Sequence, residues 1–282
     1  MILDDLAAAA RERVAQRKTQ KSYESLLAEA EALPADRTFP FERALKQPGL
    51  SFICEVKKAS PSKGLIAPDF PYLQIAKDYE EAGAAAISVL TEPKWFLGND
   101  RYLKEIAQTV QIPVLRKDFT VDPYMICEAK LLGASAVLLI CAILTDRELR
   151  DYRELAQRLG LSALVEAHTE EEVQRALASG ARIVGVNNRN LKDFTIDLSA
   201  GERLRRLVPS DVAFVSESGV KGSKEIADVC RMQADAVLVG EALMRAPNRK
   251  QRLRELCGKG GVECDENQDM RSDKNAGYSG CK

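Results

Sequence analysis

Residues 52–64 read FICEVKKASPSKG. The stretch starts as an apolar strand and then carries Glu55 and Lys57. Side chains two apart on a strand share a face. An acid and a base therefore sit together on a segment whose composition calls for burial. Buried charge is costly unless it is paired or put to use. The turn SPSKG ends the strand at those charges. A proton donor beside an acceptor at the end of a buried strand suits general acid–base chemistry.

Chargeable residues recur at the ends of other apolar runs. Thr91, Glu92 and Phe96 follow one run. Arg116, Lys117 and Asp118 end the next, Glu166 another. Asn187 is followed by Asn188 and Arg189. Glu217 is followed by Ser218 and Gly219. Leu138 and Ile140 mark the one run that offers only apolar residues. Taken singly, each has a structural reading. Glu55 and Lys57 can be an ion pair, Lys117 a solvated strand-end lysine, and Glu166 part of the loop before its helix. His168, the only histidine, reads as a helix-start or supporting residue, since a lone imidazole needs partners for chemistry. The joint pattern argues for an active site. Two lysines, three acids, an Asn and an Arg stand at the same end of successive strands.

SESGV (216–220) and LVGEAL (238–243) place Gly219 and Gly240 at strand ends just before helices. Glycine lets backbone N–H groups approach an anion, and helix starts offer free N–H groups. The pair is read as a phosphate cradle, against two ordinary glycine turns.

The elements that must hold these residues follow from periodicity. Strands are expected at 52–56, 85–90, 113–117, 136–140, 162–167, 182–187, 212–217 and 236–240. Each is rich in Val, Ile, Leu or Ala, as strands covered on both faces are. Helices are expected between them, including 72–83, 122–133, 146–160 and 170–180, several ending in Gly. Eight strand–helix repeats predict an α/β fold, a (β/α)8 TIM barrel, with its active site at the C-terminal mouth. A doubly wound sheet is the competing fold. No GxGxxG follows the first strand, which disfavours it. Residues 1–48 read as an N-terminal helical extension, and 1–257 as a single domain. The polar, Gly-rich tail 258–282 is expected to be disordered.

A chain of 282 residues suits one such domain. Net charge of −1 leaves no electrostatic footprint for nucleic acid. No apolar run is long enough to span a bilayer, and the N-terminus lacks a secretory pattern. Seven cysteines make an odd count without CxxC spacing. No zinc site or disulfide framework is expected, and the expected compartment is the cytoplasm.

The segments EVKKASPSKG (55–64), ISVLTEPKWFLG (87–98), VLRKDF (114–119), LVEAHTEEE (164–172), GVNNRNL (185–191), SESGV and AVLVGEALM (236–244) closely resemble the indole-3-glycerol phosphate synthase family. The resemblance extends from the opening helix to about residue 257. It implies a carboxy-lyase of tryptophan biosynthesis that needs no metal or organic cofactor. Its partner would be a small phosphorylated substrate, and the chain a monomer or weak homo-oligomer. Lys117 would be the general acid at the ketone. Glu166 would serve proton transfer and dehydration, with Glu55 and Lys57 completing the network and Lys57 also reaching phosphate. Asn187, Glu217 and Ser218 match residues that orient substrate and hold the acids. Ser60 and Arg189 match positions near the anthranilate carboxylate. Pro61, Phe96, Phe119 and Leu138 would wall the aromatic ring. Gly219 and Gly240 would donate backbone N–H groups to phosphate. Some members carry Ser where this chain has Glu241, which implies a backbone contact there, with the side chain turned away.

The residues present, Glu55, Lys57, Lys117 and Glu166, disfavour two alternatives. A phosphoribosylanthranilate isomerase would want a Cys base at the end of the first strand and an Asp acid further on. A barrel that only binds a phosphorylated ligand would be expected to lose the lysines and glutamates.

Overall fold

The structure is a computed structural model and describes residues 2–190 and 194–258. Eight parallel strands close into one barrel: β1 (Ser51–Val56), β2 (Ala86–Leu90), β3 (Val114–Lys117), β4 (Ala136–Ile140), β5 (Ser162–Ala167), β6 (Ile183–Asn187), β7 (Ala213–Glu217) and β8 (Ala236–Val239). Neighbours in sequence are neighbours in the sheet, and β8 pairs with β1 to close it. The fold is the expected TIM barrel with a helix at its N-terminus.

The period-2 alternation of each strand divides the apolar residues into two cores. Ile53, Leu115, Leu138, Leu164, Ile183, Val215 and Leu238 fill the barrel. Phe52, Cys54, Val89, Leu139, Val165, Phe214 and Val237 face outward under the helices. Both faces are covered, which is why the strands read as unbroken apolar runs.

Three helices precede the barrel: α1 (Ile2–Gln20), α2 (Tyr23–Ala32) and α3 (Pro40–Leu45). Phe41 and Leu45 of α3 join the inner core. Their neighbours Ala44 and Glu42 bond Ser51 and Arg182, at or beside the starts of β1 and β6, so α3 covers the end opposite the charged residues. Around the barrel run α4 (Tyr72–Glu81), α5 (Asp100–Ala107), α6 (Pro123–Leu131), α7 (Asp146–Arg158), α8 (Glu170–Ala178), α9 (Leu198–Arg205), α10 (Ser223–Arg231) and the short α11 (Glu241–Met244). Asn99, Asp122, Thr145, Thr169 and Asp197 cap five of them with side-chain oxygens.

Gly83, Gly133, Gly160 and Gly180 follow the C-caps of α4, α6, α7 and α8, each at positive φ, and end these helices as expected. Other expectations need correction. Residues 249–258 are helical, so Gly258, read as the first residue of the polar tail, lies in a helix. The rest of that tail lies outside the described residues. The SPSKG segment is not a simple turn. Ala59–Ser60 and Gly64–Leu65 pair as a small antiparallel hairpin. Cys54, Cys127, Cys141 and Cys257 are free thiols, whereas Cys230 is disulfide-bonded and departs from the expected reduced set. Among the described residues no helix is long and apolar enough to cross a membrane.

Candidate active site

The mouth chemistry comes from alternate strands. Glu55 projects inward from β1, Lys117 from β3, Glu166 from β5 and Glu217 from β7. In a barrel of this kind the four side chains of one layer come from every second strand, which brings residues 162 positions apart together. Lys117 Nζ lies 3.4 Å from Glu166 Oε2 and 3.7 Å from Glu217 Oε2. Lys57 Nζ lies 2.5 Å from Glu55 Oε2. Asn187 donates from Nδ2 to Glu166 Oε1 at 3.3 Å.

These groups share a small volume, and their protonation is divided accordingly. Burial opposes charge on Lys117, but Glu166, Glu217 and Glu55 outweigh it and hold the ammonium above its ordinary range. Burial also opposes ionisation of Glu166, yet Lys117, His168 and the Asn187 amide keep its carboxyl below the usual range. Glu217 goes the other way. Burial, with the adjacent Glu166 charge, pushes it up to about 8. Lys117 lies closer to Glu166 than to Glu217, and of these two acids Glu217 is the one that keeps its proton near neutral pH.

A cavity of about 650 Å3 opens above this layer. Glu55, Lys57, Ser60, Pro61, Phe96, Lys117, Phe119, Leu138, Glu166, Asn187, Arg189, Glu217, Ser218, Gly219 and Gly240 all line it. Its apolar wall is formed by Phe96 and Phe119, with ring centroids 6.1 Å apart, and by Leu138. Facing the wall are Gly219 and Gly240. Gly219 has φ +100, a backbone that other residues rarely adopt.

Gly240 has a second task. A Cβ there would fall 2.5 Å from Glu55 Oε2 and 3.1 Å from Lys57 Nζ. The missing side chain is the space that the Glu55–Lys57 pair occupies. Glu241 turns its carboxylate to Arg245 (Oε1 to Nε 3.1 Å) and to Lys63 of the hairpin (3.8 Å). Both cations also line the cavity.

Some strand-end residues turn out to be supports. Arg116 alternates with Lys117 and so points outward, where it reaches Thr91, Asp100, Glu128 and the Met125 carbonyl. The Asp118 carboxylate accepts two bonds from Arg13 of α1, at 2.7 and 2.8 Å, and one from Thr91 at 2.6 Å. That pair ties α1 to the barrel, and Ile2, Leu3 and Leu6 of α1 complete the cavity wall.

Glu92 is buried and accepts the N–H groups of Lys94, Trp95 and Phe96, each at 2.8 to 2.9 Å, which holds the loop that presents Phe96. Asn188 donates to the Ser216 hydroxyl and to the carbonyls of Glu217 and Ser218. It clamps a segment whose Ser218 has φ 67, a strained value for a non-glycine residue. His168 sits with Nε2 3.5 Å from Glu166 and Nδ1 3.5 Å from Glu172. Burial would lower its pKa, but those acids raise it.

The roles of Glu92, Asn188, Arg13, Arg245 and the apolar face of α1 emerge only in the folded chain. Their partners are distant in the chain or on the backbone, and no spacing rule reports them. The capping habit of an acid two to four residues before free N–H groups is the one signal that could have found Glu92.

A model of the indole-3-glycerol phosphate synthase family matches residues 3–256. The chain is 56% identical over 258 residues to an indole-3-glycerol phosphate synthase of Ruminiclostridium cellulolyticum, covering 92% of this chain and 99% of the relative. It is 55% identical over 251 residues to one of Lacticaseibacillus casei, covering 89% and 96%. Among solved structures, 3-hexulose-6-phosphate synthase from Salmonella typhimurium is similar in fold, with a TM-score of 0.64 at 13% identity, covering 76% of this chain and 100% of that one. Fifteen cavity-lining residues at eight strand ends thus coincide with a family match that spans the whole described barrel, and the chain belongs to the indole-3-glycerol phosphate synthase family.

Proposed function

We propose that the barrel mouth converts 1-(2-carboxyphenylamino)-1-deoxyribulose 5-phosphate to indole-3-glycerol phosphate, with release of carbon dioxide and water. Membership of the family makes the chain a carboxy-lyase of tryptophan biosynthesis. The division of labour among its residues is the proposal. Lys117 protonates the ketone oxygen as the ring carbon attacks. The carboxylate leaves as carbon dioxide and restores the ring electrons. Glu166, Glu55 and Lys57 move the protons that release the new hydroxyl as water. Asn187, Glu217 and Ser218 orient these groups. The aromatic ring lies against Pro61, Phe96, Phe119 and Leu138, and its carboxylate near Ser60 and Arg189. The phosphate takes backbone N–H groups at Gly219 and Gly240, with Lys57 as its cation.

One observation carries this reading. The same cavity holds Lys117 within 3.4 and 3.7 Å of the Glu166 and Glu217 carboxyls, an apolar aromatic wall, and glycine backbone opposite. Ring closure needs an acid that stays charged until it meets the ketone, a flat apolar seat and an anchor for the far phosphate.

The isomerase alternative finds little support. Cys54 faces the helices and is fully buried, its thiol pushed well above its ordinary range by burial. The nearest Asp at the mouth, Asp118, has its carboxylate on Arg13. Cytoplasmic action is part of the proposal. The free thiols of Cys54, Cys127, Cys141 and Cys257 support it, and the disulfide at Cys230 does not.

The test is to add the carboxyphenylamino-ribulose phosphate to purified protein and follow indole absorbance and fluorescence. Product formation is expected. Folded protein that binds the compound without turnover would leave the binding-only reading standing instead.

A further inference from the structure

Glu217 is 1% exposed, and its Oε1 has no hydrogen-bond partner among the described residues. A buried oxygen without a donor is costly for a carboxylate and more tolerable for the carbonyl of a neutral acid. The space that holds this oxygen is made by Gly185. That residue is an inward position of β6, with register partners Glu166 on β5 and Val215 on β7. A Cβ built at Gly185 would fall 2.2 Å from Glu217 Oε1, 3.3 Å from its Cδ and 3.1 Å from Leu164 Cδ1. Gly185 is not among the residues of positive φ, so the strand backbone itself would accept a side chain. Glycine is needed here for room and not for conformation.

We propose that Gly185 is a positioning residue: the notch left by its missing side chain holds Oε1 of Glu217 against the barrel wall and so keeps this carboxyl in its buried position. The catalytic consequence rests on the function proposed above; the placement of the carboxyl does not.

The groups around Glu217 decide what happens when the notch is filled. Lys117 faces it from β3, Glu166 from β5, Glu55 from β1 and His168 from just beyond β5. The two cations favour its carboxylate, the two acids oppose it, and burial opposes it most. A methyl group at 185 displaces the free end of a flexible side chain, which can swing toward the open mouth and Lys117. There it gains solvent and a closer cation, and both favour ionisation. The Leu164 methyl need give only a few tenths of an ångström, so the barrel accommodates the change.

The experiment is a nuclear magnetic resonance titration of the full chain with isotope-labelled glutamate carboxyls and without substrate. The Glu217 signal is identified by its loss in Glu217→Gln. In the wild type the midpoint is expected at about 8. In Gly185→Ala it is expected to fall by roughly one pH unit or more, as for an acid that gains a cation and solvent, and the corresponding limb of the kcat–pH profile should fall with it. If Gly185→Ala does not fold, the same titration is run on Gly185→Ala/Leu164→Val, which relieves the leucine contact and keeps the clash with Glu217. An unmoved Glu217 midpoint in a folded variant overturns the proposal, as does a wild-type midpoint in the ordinary carboxylate range. A wild type that makes no product but titrates as described would sink the functional reading and leave the role of Gly185 standing.

Discussion

Lys117 on β3 and Glu166 on β5 meet across the barrel mouth, Nζ to Oε2 at 3.4 Å, although β4 lies between their strands. At that height β4 contributes only Leu138 and Ile140. The ion pair therefore has an apolar floor, and the same leucine belongs to the wall proposed to seat the aromatic ring. Acid, base and ring seat are adjacent because alternate strands fill alternate layers.

Replacing Lys117 with Ala should leave a folded barrel that has lost the acid of ring closure. Removing one group that stabilises developing charge typically costs roughly a hundred- to a thousandfold in kcat. Steady-state assays with circular dichroism as a folding control check this, and near-normal turnover would refute the role given to Lys117.

The Glu217→Gln variant should gain stability on the alkaline side. The folded state raises this acid from 4.5 to about 8, so it holds a proton that the unfolded chain has released. The favourable contribution is complete below the unfolded value and is lost as pH rises through the folded one. Glutamine stays neutral throughout. Melting curves at about pH 5 and about pH 9 should show the variant gaining on the wild type at the higher pH; a pH-independent difference would count against a protonated Glu217.

Arg13→Ala removes both bonds that bind α1 to Asp118. Stripping one partner from a buried pair costs about 3 kcal/mol, to be read from urea unfolding. Because Ile2, Leu3 and Leu6 line the cavity from the same helix, KM should rise as well. Loss of stability without any change in KM would mean that α1 does not shape the substrate site.

Gly240→Ala tests the two tasks of that glycine. If it served phosphate binding alone, KM would rise and kcat would hold. Its Cβ would stand 2.5 Å from Glu55 Oε2, so kcat should fall too, by roughly tenfold to a hundredfold for a displacement of this kind. An unchanged kcat would separate the Glu55–Lys57 pair from the chemical step.

The eight strands were legible because both of their faces are buried, which leaves continuous apolar runs that no surface polarity interrupts. The charged residues at their ends were legible for the same reason, since a Lys or Glu at the end of such a run stands out. The period-2 rule also separated Lys117 from Arg116 in principle. Both are charged and adjacent, and only their opposite faces make one a mouth residue and the other an anchor for α5 and α6.

By itself, the sequence determined the barrel, the mouth at which chemistry collects and the family to which those motifs belong, because apolar periodicity and strand-end polarity are local properties. Tertiary structure alone decided which acid carries the proton, which glycine makes room for it, and that Asp118 and Arg116 hold helices in place. Those outcomes depend on ångström distances between residues far apart in the chain. Desolvation, Coulomb attraction and steric room at such distances are set by how the strands stagger around the barrel, and no single stretch of sequence records that.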